Sequence, residues 1–193
     1  MDEKEIKKIL EKTNVLLEGH FLLTSGKHSG KYMQCAKIFE YPDQSEIICS
    51  QLVQKIKNSI KTRIDVVIGP AIGAILLSYE IARQLGIRSV FGERKNGKMV
   101  LGRSFSIKSN ENVLIVEDVI TTGGSVKEII EILKKNQANI LGIGMIIDRQ
   151  NKKNNFEIPF ESVLKVKIKT FDKDECPFCK ENIPLIKPGS KEK

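Results

Sequence analysis

Glu117 and Asp118 are adjacent carboxylates, and Thr121, Thr122, Gly123, Gly124 and Ser125 follow after only Val119 and Ile120. Neighbouring carboxylates accept hydrogen bonds from the vicinal hydroxyls of a polyol. The two glycines let the backbone approach an anion with no Cβ in the way. A helix that starts here points its unpaired N–H groups and the positive end of its dipole at the same spot. A phosphate in the loop and a polyol over the acids would satisfy both halves of the motif.

Positioning such a site requires a strand before the acids and a helix after the loop. Val113-Leu114-Ile115-Val116 is an apolar, mostly β-branched run of the kind buried on both faces of a parallel sheet. The acids therefore fall at its C-terminal end, the edge where open α/β sheets bind ligands. Val126, Ile129, Ile130 and Leu133 then recur at helical spacing.

The same alternation runs along the rest of the chain. Residues 2–18 read as an amphipathic helix ending near Gly19, and residues 21–35 as a hairpin around a Ser/Gly/Lys turn. Pro42-Asp43 opens a second helix. Val66-Val67-Ile68 is a strand whose Gly69-Pro70-Ala71-Ile72-Gly73-Ala74 turn leads into a helix closed by Gly86. Ser89-Val90-Phe91 is a strand entering the glycine-bounded basic stretch 92–103. Ile140 to Ile147 is a long strand ending in Asp148-Arg149, residues 150–155 form a polar loop, and Val163 to Ile168 is an edge strand. Strands alternating with helices imply one α/β domain over 1–193.

The chain of 193 residues is 40% hydrophobic and 29% charged, as expected of a soluble globular protein with a normal core. No apolar run is long enough to span a bilayer, and Met1-Asp2-Glu3-Lys4-Glu5 is no secretory signal, so a cytoplasmic location is expected. The net charge of +8 suits a polyanionic small substrate or nucleic acid, although a solvated basic surface is the commoner cause of such an excess. With 6% aromatics and no tryptophan, a nucleic-acid stacking surface is disfavoured.

Glu117-Asp118 with Thr121-Thr122-Gly123-Gly124-Ser125 resembles the phosphoribosyl-diphosphate (PRPP) signature of the type I phosphoribosyltransferases. Phe21-x-Leu23-x-Ser25-Gly26, followed by Ser29 and Tyr32, is similar to the N-terminal hood of the orotate phosphoribosyltransferases. Thr24 stands where many members carry a lysine, and Met33 and Gln34 where others carry aromatics. The resemblance implies the type I phosphoribosyltransferase fold: a central, mostly parallel sheet flanked by helices, with a hood from residues 1–40 and the tail, and a mobile catalytic loop at 92–103. It implies transfer of the phosphoribosyl group of PRPP to orotate, with Mg²⁺ bound mainly through PRPP.

Residue by residue, the resemblance puts the PRPP ribose on Glu117 and Asp118 and the 5-phosphate on the backbone of 121–125, so that PRPP contacts run from Glu117 through Val119 and Ile120 to Ser125. Orotate falls to Thr121 and Arg149. Arg94, Lys95 and Lys98 close over the diphosphate, usually in the partner subunit's site, which makes a homodimer the expected assembly. Lys98, Asp118 and Arg94 are the catalytic candidates. Where members often add a histidine beyond the lysine, this chain has Val100.

Competing motifs are weaker. Gly92 to Lys98 reads Gly-x4-Gly-Lys, but Met99 replaces the hydroxyl residue that a P-loop needs. Gly142-Ile143-Gly144 lacks a third glycine. Cys176-Pro177-Phe178-Cys179 suggests zinc or redox chemistry, yet zinc needs two further ligands, and Cys35, Cys49, His20 and His28 lie far off in sequence. The tail is therefore read as ordered with free thiols and no metal, and residues 187–193 as frayed. The rival functions are a phosphoribosyltransferase for another base, which an assay across bases separates, and a PRPP-sensing nucleic-acid-binding regulator, for which no binding segment is visible.

Overall fold

The computed structural model describes residues 1–23, 25–150 and 156–188. Thr24, most of the polar loop expected at 150–155 and the last residues of the tail lie outside the described residues.

Six strands form the main sheet: β3 (Val66–Pro70), β4 (Arg88–Lys95), β5 (Lys98–Leu101), β6 (Asn112–Ile120), β7 (Asn139–Asp148) and β8 (Phe160–Lys165). Their order is β5-β4-β3-β6-β7-β8, parallel except for β5. The alternation of side chains assigns the two faces. Val67, Leu114 and Val116 pack with α1 (Glu3–Lys12), α2 (Pro42–Ser59) and α3 (Ile75–Leu85). Val66, Ile68, Val113 and Ile115 pack with α4 (Gly124–Lys135). The sheet is thus covered on both sides, as the apolar runs required. Gly144 is a packing glycine of this arrangement, since a Cβ there would press on Ile56 and Leu52 of α2.

From β3 the chain crosses outward to β4, then returns to β6 on the other side of β3. The order of winding reverses between β3 and β6. Such a switch point opens a crevice at the C-terminal strand ends, here Gly69-Pro70 and Glu117-Asp118.

Three expectations are corrected. The first helix ends at Lys12 rather than near Gly19. The Thr13 hydroxyl donates back to the Ile9 carbonyl at 2.7 Å, and Asn14 takes a left-handed φ of 54° that no helix continues. Leu16 and Leu17 belong instead to β1 (Leu16–Leu22). The acidic pair lies inside β6, not after it. And the stretch expected as a loop at 92–103 is largely an antiparallel hairpin, pairing Gly92 with Leu101 and Lys95 with Lys98. Its tip is Asn96-Gly97, with φ of 52° and 77°, the two-residue turn that Asn-Gly favours.

A second, three-stranded sheet joins β1 to β2 (His28–Met33) and β9 (Thr170–Phe171) in the order β1-β2-β9. The tail is sewn onto it: the Ile186 N–H donates to the His20 carbonyl and the Leu22 N–H to the Ile186 carbonyl, both at 2.8 Å. This closes the sequence distance that set the histidines apart from the tail cysteines. His20, His28, Cys176 and Cys179 form one cluster.

Candidate active site

Strand β6 carries Glu117 and Asp118 to the switch point with their side chains serving different neighbours. Glu117 borders a cavity of about 270 Å³, together with residues 119–126, Arg94 and Glu128. Asp118 faces the β3–α3 turn, and a Cβ added to Gly73 would lie 2.9 Å from its Oδ2. Glycine at 73 is what permits that close approach. The Asp118 Oδ1 accepts the Val119 N–H at 2.7 Å, and the Asp118 N–H donates to Glu117 Oε1 at 3.2 Å. Glu117 is only 9% exposed. Burial first, and the charge of Asp118 second, push its carboxyl well above the usual carboxylate range.

The loop after β6 folds as its glycines dictate. Gly123 takes a φ of 73° and occupies the position before α4, so the helix begins without a side-chain cap. Uncapped first-turn N–H groups are left for water or an anion. Thr121, Thr122, Gly124 and Ser125 border the same cavity, as do Val119, Ile120 and Gly123.

Of the basic residues, Arg94 reaches this cavity. Its guanidinium forms a two-pronged pair with Glu128 of α4, at 2.6 and 3.0 Å, and donates to the Gly97 carbonyl at 3.2 Å. Lys95 and Lys98 face each other across the hairpin tip, both exposed, and do not border the cavity.

Arg149 follows β7, its N–H donating to the Ile120 carbonyl at 2.9 Å. The guanidinium is half-buried, and its Nε has no hydrogen-bond partner among the described residues. Burial lowers its pKa from the ordinary arginine value, opposed by Cys35 and Tyr32. A partly desolvated, planar cation with a vacant donor is a place for a carboxylate.

Cys35 was not visible as a site residue in the sequence. It follows the hairpin, sits 2% exposed, and its thiol is pushed up by burial and by Asp118, while Arg149 acts the other way. The hood thus plants a neutral thiol among the acidic pair and the arginine. No local signal could have placed it there, because its neighbours come from β6 and the end of β7.

A family model, the phosphoribosyl transferase domain, matches residues 38–177. An orotate phosphoribosyltransferase of Thermoanaerobacter sp. is 55% identical over 191 residues, covering 99% of each chain. The chain belongs to the orotate phosphoribosyltransferase family. The Thermotoga maritima member is 51% identical over 186 residues, 96% of this chain and 98% of its own. The crystal structure of the Aeropyrum pernix orotate phosphoribosyltransferase superposes with a TM-score of 0.72 at 23% identity, over 83% of this chain and 93% of that one. That likeness shows the family's fold: a mostly parallel sheet between helices.

Proposed function

We propose that the crevice binds PRPP and orotate and transfers the phosphoribosyl group to orotate, giving orotidine 5′-phosphate and diphosphate in pyrimidine biosynthesis. The observation that carries this reading is that a carboxylate pair and an uncapped, glycine-led helix N-terminus meet at one topological switch point. The 5-phosphate takes the backbone N–H groups of 121–125. The ribose hydroxyls take Glu117 and Asp118. Leaving diphosphate places positive charge on the ribose ring, which the Asp118 carboxylate faces, so the protein needs no nucleophile of its own. Gly73 of the Gly69–Ala74 turn lies close to Asp118, and that turn would face the departing diphosphate.

Orotate enters over Arg149 and Thr121 beneath the hood. Its carboxylate supplies the partner that Arg149 lacks, and its planar fork matches the guanidinium. Arg94, Lys95 and Lys98 neutralise the diphosphate, the two lysines acting across the interface of a homodimer. The site's oxygen donors fit Mg²⁺, which would be held mainly by PRPP with Glu117 and Asp118 nearby. When bound, the ion offsets diphosphate charge. Among the described residues no helix is long and apolar enough to cross a membrane, in keeping with work in the cytoplasm.

The test is to follow orotate absorbance with purified protein, PRPP and Mg²⁺, with and without a chelator, and to repeat it with uracil and purine bases. Consumption of orotate alone, abolished by chelation, is expected. Indifference to orotate would overturn the reading.

A further inference from the structure

The cluster where the tail meets β1 and β2 has no part in the chemistry above. We propose that His20 Nε2, His28 Nδ1, Cys176 Sγ and Cys179 Sγ form a four-coordinate zinc site that staples the tail onto the hood.

The donor atoms lie within 4.8 Å of one another. Cys176 Sγ is 3.5 Å from His20 Nε2, Cys179 Sγ is 3.7 Å from the same nitrogen and 3.3 Å from His28 Nδ1, and the two nitrogens are 2.8 Å apart. A tetrahedron with bonds of about 2.3 Å to sulfur and about 2.0–2.1 Å to nitrogen has N···S edges of roughly 3.6 Å and N···N edges of roughly 3.3 Å. The three N···S edges of 3.3 to 3.7 Å are close to that value, and the pair of imidazoles must open by roughly half an ångström.

The surroundings select the correct nitrogen. His20 Nδ1 lies 2.8 Å from the Ile183 carbonyl, which can only accept, so the proton sits on Nδ1 and the Nε2 lone pair faces the cluster. A backbone carbonyl orienting a histidine in this way is a common support of zinc ligands. Burial is as a closed structural site requires: His20 is 2%, His28 4% and Cys176 0% exposed. Two thiolates and two neutral imidazoles exactly balance a divalent charge, and soft sulfur with imidazole suits zinc. Phe178, between the cysteines, stacks on His20 with ring centroids 5.6 Å apart and lies against Gly30, where a Cβ would not fit.

The ligands come from a strand pair at one end of the chain and a Cys-x2-Cys turn at the other, so one ion would lock a contact spanning 159 residues. Its role is structural: it holds the hood in place and touches no substrate.

Full-length protein produced in zinc-supplemented medium and desalted is expected to carry one equivalent of zinc by mass spectrometry. Replacing zinc with Co²⁺ should give the strong visible bands of tetrahedral cobalt and a near-ultraviolet thiolate charge-transfer band. Cys179→Ser, at the most exposed ligand, should weaken zinc in competition with a chromogenic chelator by at least about 100-fold. Cys49→Ala, a core thiol outside the cluster, should leave it unchanged. Adding zinc to metal-stripped wild type should raise Tm, but not that of Cys179→Ser. Wild type with far less than one equivalent and no cobalt bands, or with a Cys176–Cys179 disulfide in place of metal, would overturn the proposal. Because none of these readouts uses turnover, they stand apart from the test of the transferase reading.

Discussion

Arg94 on the basic hairpin and Glu128 on α4 grip each other at 2.6 and 3.0 Å at the edge of the cavity before α4. In the proposed reading the glutamate occupies donors that a phosphate group of PRPP would take, so substrate would have to displace it. The two side chains are 50% and 39% exposed, and an exposed pair of this kind is worth at most about 1 kcal/mol. Glu128→Gln should therefore lower the KM for PRPP, by no more than about fivefold, since 1.4 kcal/mol corresponds to tenfold. Arg94→Ala should raise it. Steady-state kinetics at low salt measure both, and a KM that rises in Glu128→Gln would show that the pair positions Arg94 rather than occupying it.

Lys98 stands at the hairpin tip, away from the cavity of its own chain. If it acts in the partner's site, Lys98→Ala should lower kcat by about 100-fold with little effect on orotate binding. Mixing Lys98→Ala with Asp118→Asn after partial unfolding and refolding should recover activity that neither variant has alone. Each mixed dimer then holds one complete site. Mixtures as inactive as their parents would mean that the hairpin serves its own protomer.

Arg149 combines half-burial with an Nε that has no partner among the described residues, an arrangement that costs stability in the free protein. Arg149→Met should fold and be more stable by about 1 kcal/mol, while losing most of kcat/KM for orotate. Arg149→Lys should recover little activity, because an ammonium lacks the fork. Chemical denaturation and kinetics on the same preparations check this. A destabilised Arg149→Met would show that packing of the arginine's methylene stem outweighs the desolvation of its charge.

What the sequence revealed follows a physical divide. The stretch from Val113 to Ser125 was legible because its composition compels its structure: four buried β-branched or leucine residues make a strand, and a left-handed Gly123 makes the turn into α4. Arg149 was legible because a strand length fixes where it ends. Contacts set by the whole fold were not. Cys35 comes under the charges of Asp118 and Arg149 only when the hood docks on the sheet, and His20 meets Cys179 only when the two ends of the chain come together. The pairing within the basic stretch was missed for another reason. Its glycines suggested freedom, but Asn96-Gly97 is a turn former, and β4 extends its pairing with β5 to the tip.

At Gly73 the β3–α3 turn approaches the acidic pair so closely that a methyl group would stand 2.9 Å from Asp118 Oδ2. Real Cβ atoms do not come so near, and the carboxylate can rotate away while the β3–α3 backbone cannot. Gly73→Ala should therefore spare stability and move Asp118, the acid proposed to hold the ribose, raising the KM for PRPP about tenfold and lowering kcat. Thermal melting beside kinetics separates the outcomes. A large fall in Tm with normal KM would mean that the turn yields instead.

Glu117 gives the fold a dependence on pH whose sign is set by burial. Its folded pKa rises from an ordinary value of 4.5 to about 9. Between those values the native state holds a proton that the unfolded chain has released, so the unfolded state binds fewer protons and stability falls as pH rises. The contribution is fully present below about pH 4.5 and is lost as pH climbs through about 9, with a slope of at most about 1.4 kcal/mol per pH unit. Glu117→Gln, permanently neutral at the same place, should remove that slope. Urea denaturation at pH 5, 7 and 9 is expected to show the two proteins close together at pH 5 and the variant increasingly the more stable above it. Parallel curves would mean that Glu117 is already ionised when folded, its charge sustained by water or by a cation in the crevice.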